Sequence, residues 1–261
     1  MLSIILPVYN EEDILLSSLQ NLISYMESYS KRLGQPYEII IAEDGSNDGT
    51  AGIAGSFLSG KATSALPGMV SGRLPEVVRL ISSGHRMGRG ISLSDSIRAA
   101  RGDTVLFMDA DLSTGLDHIP AFVGAIGSGS DIAVASRLLP GSKVIGRAFL
   151  RDLFSRGYNL LLRLLFRTSV HDHQCGFKAF RKDAALPLLG IIEDRHWFWD
   201  GELLVLAQSR GLSVVEIPVR WTDRADSHIR LLNDTLYMLL AVMRLRLRLW
   251  FSPPAYRSAK L

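Results

Sequence analysis

Three short segments of this 261-residue sequence place carboxylates directly behind apolar runs. Ser3 to Val8 is followed by Tyr9-Asn10-Glu11, Tyr37 to Ala42 by Glu43-Asp44-Gly45-Ser46, and Thr104 to Met108 by Asp109-Ala110-Asp111. Helix N-capping accounts for Glu11, Asp44 and Asp48. It does not account for Asp109 and Asp111, two carboxylates one residue apart at the end of an apolar strand. Close carboxylates repel, and a proton or a cation relieves them. Hard oxygen ligands favour a divalent metal such as Mg or Mn. With a diphosphate as ligand, such an ion would neutralise charge and stabilise the leaving phosphate as the bond breaks. A bare Asp-x-Asp is a weak signal. The same pair behind TVLFM, on the edge that carries Asp44, is much stronger.

Positioning these acids needs an ordered sheet. Ser3–Val8, Tyr37–Ala42, Val77–Ile81 and Thr104–Met108 read as strands that are apolar on both faces. Between them, Ile14, Leu15, Leu19, Leu22, Ile23 and Met26 recur at helical spacing over Glu11–Leu33. Asp48 opens a helix to about Leu58, a loop rich in Gly, Ser and Pro runs on to Pro75, and Gly90–Ala100 is a further helix. Buried strands alternating with helices predict an α/β fold with a mostly parallel sheet covered on both faces. Ligands of such sheets bind beyond the carboxyl ends of the strands, where these acids lie. The second half predicts strands at Asp131–Ala135, Phe177–Phe180 and Leu212–Arg220, and helices at Arg147–Arg167 and Gly201–Ser209. A long, mainly helical tail spans Ile229–Trp250. No linker divides the chain, so one catalytic domain is expected over residues 1–225, with a C-terminal amphipathic extension over 226–261.

Composition narrows the partners. An apolar fraction of 47% supports a full core, and the formal charge is only +3. The basic residues are nevertheless clustered. Asp152 is the one acid between Arg137 and Arg167, and Arg outnumbers Asp again from Arg224 to Arg248. Such blocks suit phosphates or anionic head groups, although solvated helix faces also produce them. Nucleic acid is not expected, because no aromatic-rich basic stripe is present. A single cysteine, Cys175, rules out a disulfide within the chain and fits an intracellular setting. The strand at the start leaves no room for a signal peptide. No apolar run reaches the roughly 20 residues that span a bilayer.

The motifs PVYNEE (Pro7 to Glu12), EDGSNDGT (Glu43 to Thr50) and DADLS (Asp109 to Ser113) resemble, in order and spacing, those of family 2 glycosyltransferases of the GT-A fold. Farther along, SRLLPGS, DHQCGFKAF, WFWDGELL and VEIPVRW resemble the dolichyl-phosphate sugar synthases, especially their glucosyltransferase branch. The resemblance implies that Pro7, Tyr9, Glu11, Ala42 and Asp44 surround the nucleoside of a nucleotide-diphosphate sugar. It implies that Asp109, Ala110, Asp111 and Ser113 hold the metal and diphosphate. Arg137 would meet phosphate from the far side, and Arg224 and Arg230 would close over it. Arg suits that task because its planar fork binds phosphate in a bidentate way. Asp172 and Gln174 would face the acceptor. The family often carries Lys after the Ser of a late S-K-x motif, where this chain has Ser227-His228 followed by Arg230. It also has EDGS in place of the usual DDGS, with Glu43 for the first Asp.

Other residues carry weaker signals. His171, His173 and Cys175 have poor spacing for one tetrahedral zinc and lack a fourth ligand. GHRMGRG (Gly84 to Gly90) lacks the features of a P-loop, and Arg86 or Arg89 near phosphate is a weak expectation. Trp197, Phe198 and Trp199 read equally as core or a lid and as an aromatic cluster beside Asp200 and Glu202 that stacks on a sugar ring. Asp200 is the best remaining carboxylate for a general base, but a lipid phosphate is already an anion near neutral pH and needs none. Arg147–Arg167 interleaves Phe149, Leu150, Leu153, Phe154, Leu161, Leu162, Leu165 and Phe166 with arginines. Beside the ordinary core helix this permits, an interface helix with its apolar side in lipid is favoured, and Arg244 to Trp250 adds basic residues and an interfacial Trp.

The leading expectation is an inverting hexosyltransferase with UDP-glucose as the favoured donor and a polyprenyl or dolichyl phosphate as acceptor. It would lie peripherally on the cytoplasmic face of a membrane. A transferase to sugar hydroxyls is the rival among enzymes, weakened by the absence of a late Q-x-x-R-W motif. A non-catalytic nucleotide-sugar binder is the rival of another class, opposed by the intact acid set.

Overall fold

The computed structural model describes residues 1–59, 77–223 and 231–251, of which 231–234 are described in backbone only. The expected loop past Ser59, Arg224, Arg230, Ser227-His228 and the boundary at 225 lie outside the described residues.

The chain opens with β1 (Leu2–Val8), α1 (Glu12–Leu33), β2 (Tyr37–Glu43), α2 (Thr50–Leu58), β3 (Val78–Ser82), α3 (Arg89–Ala99) and β4 (Thr104–Met108). A short 3-10 turn at Leu116–His118 leads into α4 (Ile119–Gly127), then β5 (Ile132–Ser136), β6 (Lys143–Ile145) and α5 (Phe149–Phe166). It continues with β7 (Phe177–Arg181), α6 (Lys182–Leu189), α7 (Trp199–Ser209), β8 (Val214–Pro218), β9 (Arg220–Thr222) and α8 (Leu231–Phe251). Seven strands form one sheet in the order β3-β2-β1-β4-β7-β5-β8, and β6 pairs with β9 in a separate ribbon.

The buried alternation of each strand divides the core into two layers. Leu2, Ile4, Leu6, Ile39, Ile41, Leu106 and Phe177 point to one face, with Leu15, Leu19 and Leu22 of α1 and Phe122 of α4. Ile5, Ile40, Val105, Phe107, Val134 and Phe180 point to the other, with Leu93 and Ile97 of α3, Leu162 and Phe166 of α5, Leu203 and Leu204 of α7, and Val242 and Leu245 of α8. Helices therefore cover both faces, as side chains of period two require when neither face is solvated. The C-terminal helix is part of this second layer.

One strand differs from the parallel pattern and matters for the site. β7 runs antiparallel between β4 and β5, with Met108 opposite Phe177 and Val134 opposite Lys178. Its first residues thus lie at the carboxyl end of β4, and the Asp109 amide donates to the Gly176 carbonyl at 3.0 Å. The turn at 172–176 is brought to the same edge as Asp109. Gly176 is required there, because an added Cβ would stand 1.9 Å from Asp109 Oδ2.

Candidate active site

The site forms along the carboxyl edge of β1, β2, β4 and β5. The loops after β1 and β2 are laced together by their own motif residues. The Asn10 amide donates to Ser46 Oγ (3.1 Å), the Asn47 amide to Asn10 Oδ1 (2.9 Å), and the Glu11 amide to Thr50 Oγ1 (2.8 Å). The Gly49 amide donates to Glu12 (2.6 Å). Asn10 takes up a left-handed φ of 55°, which Asn tolerates better than most side chains. These contacts use much of PVYNEE and EDGSNDGT to hold a shape. Glu43, the departure from DDGS, is buried and accepts from the Ser46 amide and the Ser82 hydroxyl. Burial raises its pKa, but those hydrogen bonds outweigh it and leave the carboxyl below its ordinary value.

Asp44 is buried too. Its carboxylate accepts from the Met87 amide at 2.7 Å and from the Gly88 amide at 3.0 and 3.1 Å. In this state it anchors the 83–88 loop. Tyr9 stands at the rim with the Arg86 guanidinium over its ring at 4.1 Å. Pro7 is half-buried and lies opposite Ala42 in the β1–β2 register. Ala42 and Ala110 are buried in opposite core layers.

Glu11, Asp109 and Asp111 form the acidic focus. Partial burial raises the Glu11 pKa, Asp111 and Asp109 raise it further, and the result is about 7. Asp109 is also raised, by desolvation, Asp111 and Asp200, against the opposing pull of Arg89. Asp111 is held by the Ser113 amide (2.9 Å) and hydroxyl. Crowded hard oxygens of this kind fit a divalent cation. Among the described residues no group of three or more His, Cys, Asp or Glu side chains is arranged to hold an ion. Asp109 and Asp111 are the two carboxylates that could contribute to such a site.

Asp109, itself partly exposed, is also the outer end of a chain of charges that runs into the interior. Arg89 donates to Asp109 at 3.0 Å and to Asp200 at 2.6 Å. Lys178, 0% exposed, donates to the other oxygen of Asp200 at 2.6 Å and to the Cys175 carbonyl at 2.6 Å. Both oxygens of Asp200 are thus held by cations. That is where the structure places the carboxylate expected to serve as a general base, with both of its oxygens already engaged.

Arg137 follows β5 and is locked to Asp172. Its Nε and Nη2 meet the two carboxylate oxygens at 2.7 and 2.9 Å, and its amide donates to the same group at 3.0 Å. The ion pair holds Asp172 well below the usual carboxylate range, despite its burial. Arg137 is the residue expected to meet phosphate, and Asp172 the one expected to face the acceptor. The structure joins them, and Gln174 follows with its amide on Asp172 at 3.2 Å. Arg147 lies close by. Arg137 and Arg147 both stand over the Trp221 ring, at 5.4 and 5.8 Å. The Arg147 side chain is only 5% exposed, and among the described residues its Nε has no hydrogen-bond partner. Burial and the neighbouring Arg137 lower its pKa to about 10.

Arg147, Trp221, Lys178 and Gly176 went unassigned at the sequence level, and Arg89 was only a weak expectation. Lys178 did carry a signal, a charge at a core-facing position of an apolar strand. The others are joined by long-range contacts that spacing does not disclose. The aromatic cluster resolves. Phe198 and Trp199 are core, with Trp199 Nε1 donating to Ser94 Oγ at 2.9 Å, whereas Trp197 is half exposed with Arg89 6.0 Å from its ring centroid. The His171 ring engages Glu216, and the buried His173 ring engages Asn159 and Thr168.

Comparison with known proteins fits this geometry. The model of glycosyl transferase family 2 matches residues 3–187. Glycosyltransferase AglD of Haloferax volcanii is 37% identical over 243 residues, covering 93% of this chain and 36% of that protein's length. A dolichyl-phosphate beta-glucosyltransferase of Dictyostelium discoideum is 29% identical, covering 95% of this chain and 74% of that one. In structure, glucosyl-3-phosphoglycerate synthase of Mycobacterium tuberculosis, solved with Mn2+, UDP and glucosyl-3-phosphoglycerate, superposes with a TM-score of 0.63 at 20% identity. That match covers 94% of this chain and 79% of the other, and it establishes the GT-A-like fold. With most of its length matched by the family model, the chain belongs to glycosyl transferase family 2.

Proposed function

We propose that this protein transfers a hexose, with UDP-glucose as donor, to the phosphate of a polyprenyl lipid at a membrane surface. The observation that carries the reading is the pairing of two unlike halves on one strand edge. One half is the acidic focus of Glu11, Asp109 and Asp111. The other is a buried arginine pair, with an Arg147 Nε that has no hydrogen-bond partner among the described residues, at the foot of an exposed apolar helix. A diphosphate with its cation suits the first half, and a phosphate attached to a hydrocarbon tail suits the second.

Asp109 and Asp111 would hold a divalent metal, with Ser113 fixing Asp111 or joining them. The metal would supply charge neutralisation for the leaving diphosphate. Tyr9, Pro7 and Asp44 would line the nucleoside side, Asp44 exchanging part of its hold on the 87–88 amides for the base edge. Arg137 and Arg147 would orient the acceptor phosphate. Its oxygen would attack the anomeric carbon opposite the departing diphosphate, inverting that centre. No proton has to be removed from a phosphate anion, in keeping with an Asp200 held by two cations. The names of the Dictyostelium and related proteins, which specify a dolichyl-phosphate acceptor and a glucosyl group, support this choice.

Two helices supply the membrane surface. α5 turns Phe149 (78% exposed), Leu150, Leu153, Phe154, Leu160 and Leu164 outward. α8 turns Leu236, Leu240, Met243, Leu247 and Trp250 outward, and the two helices touch each other. No helix among the described residues is long and apolar enough to cross a membrane. Apolar stripes edged by arginines suit helices that lie in the interface plane. The stripe on α5 differs from the expected one: Leu162 and Phe166 belong to the core, and Leu161 and Leu165 pack against it.

The test is transfer by Asp111→Asn and by wild-type protein in excess chelator. Both should lose transfer while keeping the wild-type circular dichroism spectrum and melting temperature. Full activity in chelator would overturn the metal-assisted reading.

A further inference from the structure

Arg89 occupies an electrostatically unusual place. It is the first residue of α3, where the helix dipole disfavours a cation. Gly88 before it has φ +111°, and a Cβ there would lie 2.3 Å from the Arg195 carbonyl oxygen, so the chain is committed to this turn. The guanidinium lies mostly buried over Phe107 and spans Asp109 and Asp200. The four buried or partly buried charges alternate as Lys178, Asp200, Arg89, Asp109, and they sum to zero. Asp111 differs: among the described residues it has a hydroxyl and an amide as partners, and no cation within ion-pair distance. Of the two carboxylates of the Asp-x-Asp pair, the one with a resident cation is therefore Asp109.

We propose that Arg89 is a built-in counter-cation that competes with the divalent ion for Asp109 and lowers the metal affinity of the empty site. It rests on the reading that Asp109 and Asp111 hold such an ion. Asp200, fixed by Lys178, keeps the guanidinium beside Asp109 after the ion arrives. The nucleotide-free protein therefore binds metal weakly, and a diphosphate that adds ligands to the ion overcomes the competition. Arg89 acts as a positioning residue, through Asp109.

The consequence is a gain on mutation, which a merely structural role does not produce. Mn2+ is titrated into nucleotide-free protein, and free Mn2+ is read by electron paramagnetic resonance. Arg89→Gln should bind Mn2+ roughly tenfold tighter than wild type, the scale expected for removing one charge near a divalent ion in a partly solvated site. Arg89→Lys keeps a point charge that cannot span both carboxylates and should fall between. Arg86→Gln removes a nearby charge that rests on Tyr9 and should change affinity less than about twofold, since exposed charges are well screened. Equal or weaker Mn2+ binding by Arg89→Gln overturns the proposal, as does an equal gain in Arg86→Gln. If Arg89→Gln fails to fold, Arg89→Lys carries the comparison. Unfolding of both at saturating Mn2+ also overturns it, because the ion should then replace the guanidinium on Asp109. The titrations are repeated with UDP. A wild type that binds no Mn2+ even then defeats the metal reading itself, whereas binding without the Arg89 gain defeats only the competition.

Discussion

Arg137→Ala should cost far more stability than a surface arginine, and the structure sets the scale. The Asp172 carboxylate is 0% exposed and receives three donors from Arg137, two from its guanidinium and one from its amide. Removing the side chain leaves the carboxylate buried with its amide partners but without its charge partner. Breaking a buried pair from one side typically costs about 3–5 kcal/mol, because the remaining charge is uncompensated. In a chain of this size that corresponds to a fall in Tm of roughly 6–20 °C. Asp172→Asn should lose a similar amount, since it leaves the Arg137 guanidinium facing Arg147 with no anion between them. The assay is urea denaturation of both single variants and the double variant Arg137→Met/Asp172→Asn. The double variant should be more stable than the sum of the single losses implies, with a coupling of about 1–3 kcal/mol. Single variants within about 0.5 kcal/mol of wild type, or strict additivity, would show that the pair is not the anchor described here. The same result bears on function, because a loss of nucleotide or acceptor affinity in Arg137→Ala is interpretable only once folding has been measured.

Two further perturbations follow from the geometry. His173 is buried, and burial lowers its pKa from 6.5 to about 3, so it is neutral in the folded protein and protonated more readily when unfolded. Its stabilising contribution is complete above about pH 6.5 and is lost as pH falls toward 3, at up to about 1.4 kcal/mol per unit. His173→Gln should flatten that part of the pH–stability curve, and an unchanged slope would refute the assignment. For the membrane, changing Phe149, Leu153, Leu160 and Leu164 to Ser should release the protein from vesicles in flotation without lowering Tm, because these side chains are exposed. Unchanged flotation would remove α5 from the membrane surface.

The first half of the molecule was legible because its strands are short apolar blocks with acids at their carboxyl ends. Strand boundaries there are met within a residue or two, and the convergence of Glu11, Asp44, Asp109 and Asp111 follows from parallel order alone. The antiparallel direction of β7 was not legible, since Phe177–Phe180 has the same pattern in either direction. With that direction unknown, the placement of Gly176 against Asp109 and of Lys178 beneath Asp200 could not be read. Helices α4 and α6 escaped because Gly124 interrupts the first, which ends at Gly127, and Pro187 interrupts the second. The long α5 carries a core stripe of Leu162 and Phe166 and, apart from it, an exposed apolar stripe, a division that the run of apolar residues in the sequence does not disclose. The Arg137–Asp172 pair, 35 residues apart, depends on how the 168–176 turn folds back, which no local spacing encodes.

Transfer to a lipid phosphate can be measured by incubating the purified protein with Mg2+ or Mn2+, a polyprenyl phosphate and each of a panel of radiolabelled nucleotide sugars, then extracting the lipid phase. A lipid-linked hexose should form best from UDP-glucose, require the metal and disappear in Asp111→Asn. Labelled lipid formed equally well in chelator, or transfer only to a sugar hydroxyl acceptor with none to the lipid phosphate, would contradict metal-dependent transfer to a lipid phosphate.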